Sequence, residues 1–187
     1  MTENYYNYAV NNSKNNNSRN ALDNNDSKRV YNEKYLELQK KSIHNLKNAK
    51  QTIDFTYKMV KENKLLMGVV NELFLACSFA MGSLLYYELL HKRINFFEDK
   101  FESKLRIYKN KVSERYGLNP NYIKLMRDLK EIVIAHNQSP IEFSKGDKFV
   151  ICSDNYELKQ ITLESLKEAF KKTNLFIDEV IYITSHK

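Results

Sequence analysis

The amino-acid sequence predicts an all-α fold, an antiparallel bundle of four to five helices that carries a small β-hairpin before its last helix. The 187 residues include only four Gly and two Pro, and apolar residues recur at spacings of three and four along most of the chain. This pattern is typical of helices and poor for a sheet sandwich. The residues beyond position 30 suffice for one core, so we expect a single domain over 31–187.

Residues 1–30 contain ten Asn and no periodic apolar face. A segment of this composition cannot bury enough apolar surface to offset its ordering entropy. We therefore predict a disordered Asn-rich tail over 1–30, either a solvated extension or an arm that orders on a partner.

Apolar stripes and helix-ending residues predict five helices. Gly117 is a typical C-terminal stop, Pro120 suits the first turn of the next helix, and Pro140 disfavours helical geometry in the residue before it. Thr162 is a candidate N-cap, although Glu164 follows one position too early for a capping box. The expected helices cover about 31–63, 65–92, 95–116, 120–136 and 162–183.

A β-hairpin is expected between the last two helices. Lys145-Gly146-Asp147 separates two β-like runs, at 141–143 and 149–152. The Gly in the middle indicates a tight turn, so the pattern predicts a hairpin over about 141–152.

The segment 73–87 is uncharged for 15 residues and lies between Glu72 and Glu88. A membrane span needs about 20 apolar residues, and extending this segment crosses a carboxylate at either end. We interpret it as the buried helix at the centre of the bundle and predict no membrane span.

The two cysteines, Cys77 and Cys152, lie far apart in apolar surroundings without CxxC or Cys/His ligand spacing. This pattern predicts reduced thiols and a cytoplasmic protein without a metal site. The sequence also has no Gly-rich phosphate loop and no Ser/His/Asp pattern, and we predict no cofactor.

Positive charge is concentrated in residues 91–130, which hold eleven Lys or Arg against five acidic residues. Helical spacing of 4, 7 and 4 places four cations on one face, with an aromatic residue on the same side that could stack on a base. Such a stripe suits a phosphate backbone, whereas a merely solvated helix face is the alternative. The candidate nucleic-acid-binding residues are Lys100, Lys104, Tyr108, Lys111 and Arg115.

His136 is the candidate for chemistry. Steps of 4, 7 and 11 back along the helix reach Ile132, Leu129 and Leu125, so the imidazole lies on the core stripe, at the helix C-terminus. One interpretation is a core histidine that donates to a backbone carbonyl near the turn. The other is a catalytic or nucleic-acid-contacting histidine.

The segment from Lys130 to His136, KEIVIAH, at the end of a long helix resembles the motif of the HEPN superfamily. These small all-α proteins include RNases, toxins and partners of nucleotidyltransferases, and their motif is Arg, four to six residues, then His. The resemblance implies RNA cleavage without a metal ion. The 2′-hydroxyl of the RNA attacks, and an Arg/His pair contributed by two protomers catalyses this step. His136 would act as general acid/base, Lys130 (or Arg127) would neutralise phosphate, and Asn137 would orient the substrate. Lys in place of Arg points to a weakened or inactive member.

The sequence therefore leaves functions of different classes open. The first is a HEPN-like protein that binds RNA, either as a weakened endoribonuclease or as an inactive relative. The second is a non-enzymatic scaffold that assembles with itself, as a homodimer for example, or with a protein partner, since Tyr and Phe total 23 with no Trp. A protein that packages nucleic acid is the third.

Overall fold

The structure is a computed structural model that describes residues 20–153 and 157–185. In this part of the chain it contains five helices and three strands. α1 (Asn20–Gln51) continues through a π-helical turn (Thr52–Thr56) into a last α-helical turn (Tyr57–Val60), and α3 (Phe101–Ile107) continues into a second π-helical turn (Tyr108–Val112). The other elements are α2 (Leu65–Leu90), α4 (Asn121–Gln138), β1 (Ile141–Lys145), β2 (Lys148–Cys152), β3 (Leu158–Thr162) and α5 (Leu163–Ser185). The predicted helical class is confirmed.

α2 lies at the centre of the core. It packs against α1, α4 and α5, and buried residues occur all round its circumference because its sequence is apolar on every side. α1 approaches it closely at Gly82, where a Cβ atom would lie 3.2 Å from Cδ1 of Leu38. Two hydroxyl groups also join the helices, since Ser42 Oγ donates to the Ala76 carbonyl and Ser83 Oγ donates to the Tyr35 carbonyl, both at 2.9 Å.

α2 is also long and apolar enough to cross a membrane by length and composition alone, and 56% of its most apolar window is buried inside the protein. The core helix of a globular protein meets the same criterion. The absence of a membrane span therefore stays a prediction.

α1 begins at Asn20, inside the segment expected to be a disordered tail and before the helix start expected near 31. Residues 1–19, which make up most of that predicted tail, lie outside the described residues. At its other end α1 stops at Lys61, which adopts a left-handed conformation with φ 54°.

The β-structure is larger than the expected hairpin. β1 and β2 pair antiparallel around a two-residue turn with Gly146 at φ 60°, in the region where the hairpin was predicted. β3 then pairs antiparallel with β2 and gives a three-stranded sheet in the order β1-β2-β3. β3 was not predicted because its sequence, LKQIT, lacks strict alternation of apolar and polar residues. Phe149, Ile151 and Ile161 on the inner face join the core.

Thr162 ends β3 and also caps α5. Its Oγ1 accepts from the Ser165 amide at 3.1 Å, and its own amide donates to Ser165 Oγ at 3.2 Å. Ser165 therefore fills the position that Glu or Gln holds in the usual capping box, which explains why the helix begins here although Glu164 is out of place.

Candidate functional site

His136 lies at the end of α4 and pairs with a carboxylate of β1. α4 stops before Pro140, where Ser139 is extended and its hydroxyl bonds to the carbonyls of Ile141 at 2.7 Å and Cys152 at 2.8 Å. The chain reverses there and brings Glu142 against the histidine. Nδ1 of His136 lies 2.6 Å from Oε1 of Glu142.

The His136–Glu142 pair is half-exposed, with 36% of the imidazole and 21% of the carboxylate side chain accessible. The partner is thus a carboxylate instead of the backbone carbonyl expected for a core histidine. A carboxylate on Nδ1 selects the tautomer that leaves Nε2 as a proton acceptor. A carboxylate-oriented imidazole of this kind is suited to general acid–base chemistry.

The sequence did not identify Glu142 as a site residue. The available signal was the Ser139-Pro140 stop, which predicts that the chain turns back immediately after the helix. Alternation in β1 then places Glu142 on the inner face of the sheet, beside the core residues of β2.

Lys130 does not face His136. Its ammonium group pairs with Glu102 and lies 4.7 Å from the centroid of the Phe101 ring, so the side chain is directed at α3. Six residues correspond to about 600° of helix, which places Lys130 and His136 about 120° apart around α4. Arg127 is about half a turn from His136 by the same arithmetic. Within one chain, the structure does not bring the three predicted catalytic residues together.

Arg127 instead lines a basic depression of about 550 Å³ between α3 and α4. Its polar lining includes four cations, Lys100, Arg106, Lys109 and Arg127, and two carboxylates, Glu98 and Glu102. Glu98 pairs with Lys100 at 3.3 Å, and Glu102 pairs with Lys130, which is not part of the lining. Four cations line the depression against two carboxylates, which leaves a surplus of two positive charges.

The predicted stripe along α3 is only partly available. Lys100 and Lys111 are exposed, but Lys104 pairs with Asp99 at 2.9 Å and keeps only 12% of its side chain accessible. The expectation that Tyr108 stacks on a base is wrong for this conformation, because its ring is fully buried and meets Phe176 edge-on. Arg115 pairs with the buried Glu88.

A π-helical turn at Tyr108–Val112 also interrupts the α-helical spacing on which the stripe was predicted. An α-helix advances by 100° per residue, whereas a π-helical turn accommodates one extra residue and so changes the phase of everything that follows. Residues beyond 108 therefore do not keep the face that α-helical spacing assigns to Lys100.

Glu88 is the centre of a second polar cluster. Its side chain is fully buried at the end of α2, where it accepts from Nη1 of Arg93 at 3.0 Å, from the hydroxyl of Tyr116 at 2.6 Å and from Nη1 of Arg115. Burial and the bond to Glu88 raise the pKa of Tyr116 to about 12. All partners come from the segments that flank α3, so the cluster attaches these segments to the core helix.

Within residues 20–153 and 157–185, no group of three or more His, Cys, Asp or Glu side chains is arranged to hold a metal ion. Comparison of the chain with models of protein families, with curated proteins and with solved structures finds no match.

Proposed function

We propose that this protein is a HEPN-like antiparallel helical bundle of the cytoplasm that binds RNA through the basic depression between α3 and α4. The surplus of positive charge in that depression is the observation that supports the proposal. Cations gathered over one surface neutralise several phosphates together, and the release of condensed counterions provides affinity without base-specific contacts.

Binding to a single-stranded RNA oligonucleotide, followed by fluorescence anisotropy at several salt concentrations, tests this proposal. Four cations in contact with phosphates give a slope of log K against log[salt] of about −3, from about −0.7 per contact. The double variant Arg106→Ala/Arg127→Ala should lower the magnitude of the slope by about 1.4. Its matched control is Lys40→Ala/Lys47→Ala, which removes two exposed cations of α1.

RNA binding through the depression is refuted if the wild-type protein has no affinity for RNA at low salt. It is also refuted if the control pair lowers affinity as much as the pair in the depression. A steep salt dependence on long duplexes, with no preference for single strands, would favour the nucleic-acid-packaging alternative.

Weak metal-independent ribonuclease activity is the enzymatic form of the proposal. His136 with Glu142 supplies the oriented acid–base group, whereas Lys130 is already neutralised by Glu102 and directed away from it. We therefore expect slow RNA cleavage in EDTA that disappears in His136→Ala and persists in His44→Ala, which changes an exposed histidine of α1. Cleavage that His136→Ala leaves unchanged would show that the pair is not catalytic.

A non-enzymatic homodimer or scaffold is a second candidate, favoured by the outer face of the sheet. Ile141 and Leu158 flank Cys152 in the strand register and are each 56% exposed, and Phe143 on the same face is 40% exposed. Exposed large apolar side chains grouped on one face are typical of protein–protein contacts. Light scattering should give a dimer that Phe143→Ser weakens, and a strict monomer at tens of micromolar would exclude this candidate.

A further inference from the structure

The end of α1 exposes large apolar side chains. Phe55 is 66% exposed, Met59 86% and Val60 57%, although the same segment also contains the buried Ile53. Ile53 and Phe55 both belong to the π-helical turn Thr52–Thr56. Ile53 lies in the core, whereas Phe55 and Met59, about one turn apart, project into solvent. π-helical turns within α-helices occur frequently at functional sites. We call Phe55, Met59 and Val60 the apolar tip.

Lysines surround the apolar tip. Lys58, Lys61 and Lys64 belong to the same end of α1 and the turn that follows it, and all three are exposed.

The β1–β2 turn brings two further lysines to this end of the molecule. Asn63 Nδ2 donates to the carbonyls of Gly146 at 2.9 Å and Lys148 at 3.2 Å. Tyr57 donates to Oδ1 of the same asparagine at 2.7 Å, so the end of α1 and the turn are fixed to one another. Lys145 and Lys148, the residues on either side of the turn, therefore lie at the same end as the tip.

The charge around the tip is positive in sum. Five lysines, the three of α1 and its turn and the two of the hairpin, stand against Asp54, Glu62 and Asp147, which leaves a surplus of two. Lysine ammonium groups are compact and well hydrated, and they suit a diffuse anionic surface better than a bidentate ligand.

We propose that this end of the protein docks on an anionic lipid bilayer. The side chains of Phe55 and Met59 enter the boundary between headgroups and acyl chains, and the surrounding lysines contact lipid phosphates. Two features favour a bilayer over a protein partner. The apolar side chains project outward instead of lining a groove, and the surrounding charge complements an anionic surface. The inference is independent of RNA binding, because the basic depression is formed by other elements.

Tryptophan fluorescence offers a direct test, since the chain contains no Trp. The variant Phe55→Trp should show a blue shift with vesicles of phosphatidylglycerol and phosphatidylcholine. Partitioning should be roughly 30-fold tighter than onto pure phosphatidylcholine, from a surplus of two charges near the surface. The control Leu175→Trp places the probe on α5 at a residue of similar exposure, 56%, and its emission should not change.

A second pair of variants tests the apolar contribution. Phe55→Ser/Met59→Ser should lower partitioning onto anionic vesicles at least tenfold, because each change removes a side chain that enters the bilayer. Leu175→Ser/Val30→Ser, at positions 56% and 58% exposed, should bind as the wild type does. Arg106→Ala/Arg127→Ala should lose RNA affinity and keep vesicle binding, which separates failure of this inference from failure of the proposed RNA site.

Three results would overturn membrane docking. The first is unchanged emission of Phe55→Trp with anionic vesicles. The second is equal vesicle binding by Phe55→Ser/Met59→Ser and the wild type. The third is a protein that is dimeric without lipid and becomes monomeric in Phe55→Ser/Met59→Ser, since a second copy would then cover the tip.

Discussion

The substitution Glu88→Gln should destabilise the protein by about 2–3 kcal/mol. The carboxylate is fully buried and accepts from two guanidinium groups and one phenol. A hydrogen bond to a charged group contributes about 1.5–3 kcal/mol and a neutral one about 0.5–1.5. The amide keeps the shape, but it removes the charge and replaces one accepting oxygen with an NH2 group that cannot accept from these donors, so the two arginine contacts together lose about 2–3 kcal/mol. Arg93 and Arg115 retain 24% and 37% side-chain exposure and can rehydrate, which keeps the loss below the cost of leaving a fully buried charge unpaired.

Urea unfolding followed by far-UV circular dichroism measures this loss as a lower midpoint at unchanged slope. The matched control is Glu98→Gln, the same chemical change at a carboxylate that is 64% exposed and pairs with Lys100 at 3.3 Å. A surface ion pair contributes about 0–1 kcal/mol, so the control should unfold close to the wild type. Equal midpoints for the two variants would refute the inference that the buried cluster holds the segments around α3 to the core.

Three further predictions concern the core and its ionisable groups. Phe176→Ala should cost about 3–5 kcal/mol in urea unfolding because its ring is fully buried, and Leu175→Ala, at the exposed neighbour, should cost less than about 0.5. Burial raises the pKa of the Cys77 thiol to about 12. At pH 8 a thiol reagent should therefore modify Cys77 only as fast as the protein opens. Rapid modification of Cys77 without unfolding would contradict its burial. Burial and then the bond to Glu88 raise the pKa of Tyr116, so the native state keeps this proton while the unfolded chain releases it near pH 10. The free energy of unfolding should fall between pH 10 and 12, and Tyr116→Phe should flatten that fall.

Local sequence signals predicted much of the helical framework. The expected helix over about 120–136 is observed as α4, Asn121–Gln138, because Pro120 and Pro140 act through the geometry of adjacent residues. The helical segment ends at Val112, earlier than the expected 116, and Gly117 ends the following turn in the left-handed conformation, with φ 61°. Such effects depend on a few neighbouring residues, so the sequence alone reveals them.

The direction in which side chains point around each helix was less predictable. Both π-helical turns interrupt apolar patterns that look regular in the sequence, and each changes the direction of the side chains that follow. Lys111 and Arg115 are affected, because their assignment to the face of Lys100 assumed an unbroken α-helix. A π-helical turn forms where tertiary packing favours it over ideal geometry, and the sequence has no strong local signal for it.

The candidate site was predictable only in part because its geometry depends on pairs of residues that are distant in sequence. Helical spacing gives the direction of His136 on α4, but the partner carboxylate depends on how β1 packs against that helix. The same limit applies to Lys130 and Glu102, which are 28 residues apart and belong to different helices.

Ion pairs also decide which lysine and arginine side chains remain unpaired. Composition places the positive charge in residues 91–130, but it does not show which cations meet a carboxylate in the folded chain. Glu98 pairs with Lys100, Asp99 with Lys104 and the buried Glu88 with Arg115, so three of the four cations of the predicted stripe are paired. Arg106 and Arg127 come from two helices and meet at one depression. The proposed RNA surface is therefore the junction of α3 with α4, and for this reason the decisive variants combine one residue from each helix.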